Sequence, residues 1–129
     1  MRQYRTSYSE AVKENVNHAV EAFKKEDSHQ AMEVETLKAV IAKLKGELKQ
    51  RHIKRLQKGK CTIELGFIHS DVITSYKRVA DHCSNVAVCL AEVGADEYET
   101  HSYVDDIKHG NNEQYKKNYQ VLRDKYLLP

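Results

Sequence analysis

From Val34 to Val93 the chain repeats apolar residues in an alternating three-four rhythm, and its one proline is Pro129, so nothing in that stretch forces a helix to break. One run is Val34, Leu37, Ile41, Leu44 and Leu48, continued more weakly by Ile53 and Leu56. A second is Leu65, Ile68, Val72, Tyr76, Val79, Cys83, Val86, Leu90 and Val93. Gly59 stands between them, where a helix end wants a residue free to turn left-handed. The spacing predicts helices over about 27–58 and 62–93. The first would run roughly 48 Å at ~1.5 Å per residue, a length that only a bundle can cover in a small protein.

A shorter helix is expected over about 7–25, opened by a Ser7-x-x-Glu10 capping box and carrying Val12, Val16, Ala19 and Phe23 on one face. Glu10, Glu14, His18 and Glu21 fall opposite, toward solvent, and Asp27 with Gln30 offers a cap for the next helix. Beyond Gly94, residues 95–110 are acidic and poor in aliphatic side chains. Tyr115, Tyr119, Leu122 and Tyr126 then predict a last helix from about Asn112, tyrosine edge inward and Lys116, Lys117 and Arg123 outward. The fold expected is all-α: residues 1–94 form an antiparallel, spectrin-like up-down-up three-helix bundle, and residues 95–129 an acidic connector and a C-terminal helix packed on it. Five glycines and one proline are too few for the turns of a many-stranded barrel. On this phase Val79 faces the core, and Val79→Asp is expected to prevent folding.

Net charge is only +2, but it is unevenly spread: nine Lys and Arg and one acid, Glu47, lie between Lys38 and Lys60. Lys43, Lys49, Arg51, Lys54 and Arg55 make a basic helix surface able to meet an anionic partner. Its charges go round the helix without an aromatic platform, which argues against nucleic acid. The longest uninterrupted apolar run, Val86 to Ala91, is six residues, so the chain inserts no span of its own into a membrane, and no signal-peptide core follows Met1. Cys61, Cys83 and Cys89 are odd in number and lack a CxxC spacing, as in a cytoplasmic protein with reduced thiols.

The helix over 62–93 has a second ordered face. Asp71, Thr74, Arg78, Asp81 and Asn85 line up at spacings of three and four opposite the apolar stripe, with Phe67 and Cys89 at the ends. Arg78 and Asp81 are placed to form an ion pair, with Asn85 donating to the same carboxyl. This row is either a solvated surface or a partner-facing site.

The segment from Tyr76, Tyr-Lys-Arg-Val-Ala-Asp-His-Cys-Ser-Asn-Val-Ala, resembles the E-R-x-x-D-x-x-x-N-I-A signature of PhoU-type domains. It is closer still to the PhoU-like cytoplasmic domain at the C-terminus of bacterial sodium/phosphate cotransporters. His52-Ile-Lys-Arg-Leu-Gln-Lys-Gly-Lys-Cys61, the Glu64-Leu-Gly-Phe that follows, and the closing Lys125-Tyr-Leu-Leu-Pro are similar to the same group. The resemblance implies a non-catalytic regulatory domain of three-helix units, usually two in tandem, that controls phosphate uptake at the cytoplasmic face of the membrane. Its partners would be the transporter's membrane domain or a second PhoU-like unit, and a homodimer is expected. The chain reads either as one unit of a longer transporter or as a free-standing regulator.

PhoU-type domains often hold metal through E-x-x-x-D pairs, and here the pattern departs: Lys77 stands before Arg78 where the glutamate belongs, and Lys38 and Ala42 occupy the matching positions of the preceding helix. Asp81, Glu35 and His82 remain as possible metal ligands, and no other cofactor is implied. No HExxH, phosphate-cradling glycine loop or nucleophile elbow occurs, so no enzyme is expected. The alternatives are a metal-binding helical bundle and a coiled-coil-like adaptor.

Overall fold

A computed structural model describes residues 2–25, 28–94 and 113–128. Every regular element among them is a helix: α1 (Arg2–Lys25), α2 (Ser28–Gln57), α3 (Ile63–Gly94) and α4 (Glu113–Lys125). Helices α1, α2 and α3 all pack on one another, and α4 lies against α2. The connector expected over 95–112 and the Asp27 cap lie outside the described residues.

Helix ends follow the local chemistry. Gly59 takes φ +68°, and the N–H groups of Lys60 and Gly59 reach back to the carbonyls of Arg55 (2.9 Å) and Leu56 (3.1 Å). This double return satisfies carbonyls that the end of α2 would leave bare. Thr62 opens α3 by accepting the Leu65 N–H on its hydroxyl at 3.2 Å. The capping box at Ser7 does not form, because α1 begins at Arg2 and Ser7 lies inside it.

Helix α2 is the central stave. Val34, Leu37, Val40, Ile41, Leu44 and Leu48 are all buried, since α1, α3 and α4 cover it from three sides. Ile53 and Leu56 mark where the cover thins, being exposed and half-buried. The seam of α1 runs through Tyr8, Ala11, Val12, Asn15, Ala19 and Ala22, leaving Val16 half-buried and turning Phe23, expected in the core, out to 66% exposure.

Helix α3 departs most from expectation. Its buried positions are Gly66, Ile73, Ala80, Cys83, Ser84 and Ala87, whereas Leu65, Ile68, Val72, Val79 and Val86 are exposed. The helix is therefore rotated by about one residue, ~100°, from the expected phase. Small side chains fill the seam because they let α3 approach its neighbours closely. A Cβ on Gly66 would sit 2.6 Å from His52 Nε2. Val79 is 39% exposed, so the expectation that Val79→Asp prevents folding is corrected.

Polar groups inside the bundle cross-link the helices. The Tyr8 hydroxyl donates to the Ile73 carbonyl at 3.0 Å, and Asn15 Nδ2 donates to the Val34 carbonyl at 3.0 Å. Ser84 Oγ donates to Glu35, whose carboxyl is buried between α2 and α3.

Helix α4 shows the expected inward edge, with Leu122 and Tyr126 buried and Tyr119 packed against the core. Arg123, expected on the outer side, turns inward to pair with Glu47. Glu14 receives Lys125 Nζ at 3.2 Å and the Tyr126 hydroxyl, and stands 3.5 Å from His18 Nε2. His18 also bonds Gln30. Glu14 and His18 are thus a half-buried joint under the end of α4, and not the free solvent face the α1 pattern suggested.

Candidate functional site

The surface features that distinguish this bundle all belong to α3, which presents three faces. The first is the buried seam. The second is the outer apolar stripe, in which Leu65, Val72, Val79 and Val86 recur at a spacing of seven and Ile68 lies between. These five are exposed by 51%, 36%, 39%, 41% and 60% respectively, a degree that a bundle could have avoided by placing lysine or glutamate there. Beside the stripe's C-terminal half runs an open groove of about 570 Å³ between α1 and α3. Val16, Val20 and Phe23 form one wall, and Val79, Cys83 and Val86 the other. Burial raises the Cys83 thiol pKa, which keeps it in the unreactive protonated form.

The third face is the polar row. Asp71, Arg78 and Asn85 are exposed, while Thr74 and Asp81 are half-buried. The expected Arg78–Asp81 pair is replaced: Asp81 accepts from Lys77 Nζ, one turn earlier on the same helix. Arg78 is left pointing outward at the level of the stripe's centre. Phe67 is 70% exposed at one end of the row, and Cys89 is exposed at the other.

The three possible metal ligands do not converge. Glu35 is buried and bonded to Ser84, Asp81 is engaged by Lys77, and His82 is exposed on the wall of the apolar groove. Among the described residues no group of three or more His, Cys, Asp and Glu side chains is arranged to hold a metal ion. Lys77 puts a cationic nitrogen where a second carboxyl would have to stand.

On α2, Lys43, Lys49 and Lys54 are exposed, and Arg51 and Arg55 are half-buried. Lys49 also borders a groove of about 360 Å³ between α2 and α3, together with Lys45, His52 and His69. The two imidazole rings stack at 5.1 Å, and His52 Nδ1 is buried without a hydrogen-bond partner. No helix among the described residues is long and apolar enough to cross a membrane.

Sequence reasoning missed Tyr8, Asn15 and the α3 seam. Tyr8 packs against Tyr76 with ring centres 5.9 Å apart, and burial, then the Asp81 charge, raises its phenol pKa. The seam had a visible signal, because Gly66, Ile73, Ala80 and Ala87 also recur at seven. It was eclipsed by the bulkier series one residue earlier.

No curated protein and no solved structure matches the chain. The PhoU domain, a helical domain related to phosphate regulation and generally regulatory without being catalytic, matches residues 6–90. That stretch spans α1 to α3 almost completely and includes both the seam and the outer stripe. The chain belongs to the PhoU domain family.

Proposed function

We propose that this PhoU domain is a non-catalytic regulatory module of a sodium-dependent phosphate transport system, acting at the cytoplasmic face of the membrane by docking helix faces. The observation that carries the reading is the outer stripe of α3, a second heptad series left outside a bundle that is already closed by the first. A second three-helix unit of the same kind is its occupant. The unit-to-unit contact then rests on the apolar stripe, with the polar row beside it at the rim.

The exposed lysines of α2 serve the other partner, an acidic cytoplasmic loop of the transporter's membrane domain. Lys43, Lys49 and Lys54 give that surface its charge without competing for the stripe, which lies on a different helix. Phosphate can bias such docking only through unequal affinity for the docked and free arrangements. Neither a metal-binding bundle nor a plain coiled-coil adaptor explains the features as well, because Lys77 occupies the metal position and the bundle closes its own first seam.

The test is capture of the membrane domain of a sodium/phosphate transporter from the same genome. The wild-type chain should retain it, and the Lys43→Glu/Lys49→Glu/Lys54→Glu variant should lose it. Equal capture by both, or none by the wild type, would overturn the reading.

A further inference from the structure

The outer stripe is nearly symmetric about its own midpoint, and this says what covers it. Resting on the docking reading above, we infer that the occupant is a second copy of this chain, laid antiparallel on α3 about a twofold axis passing between Ser75 and Tyr76. An isologous contact needs a patch complementary to itself after that rotation. Rotation there sets Leu65 of one copy against Val86 of the other, and Val72 against Val79. Ile68 falls opposite Cys83, which lines the groove between α1 and α3. The protruding end of the stripe, Leu65 and Ile68, therefore meets the hollow end of the partner's stripe, where Phe23 forms the far wall.

Charge follows the same symmetry. Asp71 and Arg78 flank the stripe on one side, both exposed and one heptad apart. In the antiparallel pair Arg78 of each copy comes within two residues, ~3 Å of axial rise, of standing level with the other copy's Asp71. Two equivalent ion pairs then close the rim, and Arg78, which makes none with Asp81, has its counter-ion. In a parallel pair the twofold axis would run along the helices and put the two Asp71/Arg78 flanks on opposite sides of the interface, so neither would meet its counter-ion.

The area suffices. At ~150–240 Å² for a fully exposed large apolar side chain, the exposed fractions of Leu65, Ile68, Val72, Val79, Val86 and Phe23 amount to roughly 600 Å². With a polar rim this approaches the ~800 Å² per partner of a standard interface, and it stands at the upper end of the ~300–600 Å² of the largest patch on a typical monomer.

Sedimentation velocity on the full chain tests the inference. A species of twice 14.9 kDa is expected at about 100 μM, with Val72→Asp and Val79→Asp each weakening association at least ~100-fold while helicity is unchanged. Asp71→Arg should weaken it about tenfold, and adding Arg78→Asp should restore it, a rescue specific to the antiparallel register. A wild-type monomer at that concentration, as would result if residues 95–112 of the same chain covered the stripe, overturns the proposal. So does a dimer indifferent to both aspartate variants, or a charge swap that fails to rescue. These outcomes are independent of the transporter capture, which probes α2.

Discussion

Adjacent residues on α3 give opposite predictions, and the pair of variants Val79→Asp and Ala80→Asp turns helical phase into a stability measurement. Val79 is 39% exposed and Ala80 fully buried. Complete burial of a valine side chain is worth about 1.5–3 kcal/mol, so losing the buried three-fifths of Val79 costs about 1–2 kcal/mol. Helix propensity adds little, since valine and aspartate rank together. That corresponds to a melting temperature lower by about 5 °C for a domain of this size. Ala80→Asp instead places a charge in a fully buried seam, at a cost of about 4 kcal/mol or more, a large share of a typical domain's total stability. Urea titration followed by circular dichroism at about 1 μM, where a weak dimer contributes little, gives both numbers. Two variants of similar stability, or Val79→Asp the more damaging, would refute the rotation of α3 and every inference about its outer stripe.

Glu14 supports a second prediction. Burial alone would raise its carboxyl pKa, but the hydrogen bonds from Tyr126 and Lys125, the Lys125 charge and the His18 bond outweigh it and hold the group below its ordinary 4.5. The fold thus favours the carboxylate, so this contribution is fully present above pH 4.5 and is lost as pH falls through the lower folded value. Glu14→Gln should cost about 1–2 kcal/mol at neutral pH and flatten the acid limb of the stability curve, with hydrogen exchange showing α4 opening first. Gly59 is held at φ +68°, so Gly59→Ala should cost about 1 kcal/mol while Gly46→Ala, in mid-α2 with open space around its Cβ, should stabilise by a similar amount. Paired denaturation curves decide it, and a neutral Gly59→Ala would remove the left-handed turn from the account.

The helices themselves were legible because each long run is bounded by a residue with one structural use. Gly59 ends α2 and Thr62 starts α3. The α2 stripe was legible for another reason: a stave covered from three sides buries nearly every apolar residue it has, so an error in phase cannot show. Helix α3 packs on α1 and α2 and, among the described residues, keeps an apolar face outside; there the pattern offered two heptad series one residue apart. Choosing the bulkier series puts Leu65, Val72, Val79 and Val86 inside, whereas close approach of the helices requires Gly66, Ala80 and Ala87 there. Hydrophobicity ranks side chains and says nothing of interhelical distance.

The polar positions were hidden by cross-helix chemistry. Asn15 and Glu35 look like surface residues along their own helices, and only the Val34 carbonyl and the Ser84 hydroxyl bring them inside. Arg123 is drawn in by Glu47, 76 positions away in sequence. The polar row of α3 comprises three exposed residues, Asp71, Arg78 and Asn85, and two half-buried ones, Thr74 and Asp81; its expected Arg78–Asp81 pair does not form. Lys77 competes with Arg78 for Asp81 and wins on i,i+4 geometry.

The central claim is that the outer α3 stripe faces away from its own bundle and is covered by docking. Single cysteines at positions 72, 79 and 86, in a Cys61→Ser/Cys89→Ser background that keeps the buried Cys83, report on it directly through maleimide labelling. All three should label rapidly in the dilute folded protein and become protected as concentration rises through the range in which mass doubles. Cysteines that resist labelling at every concentration, or that label equally fast at all of them, would contradict the account.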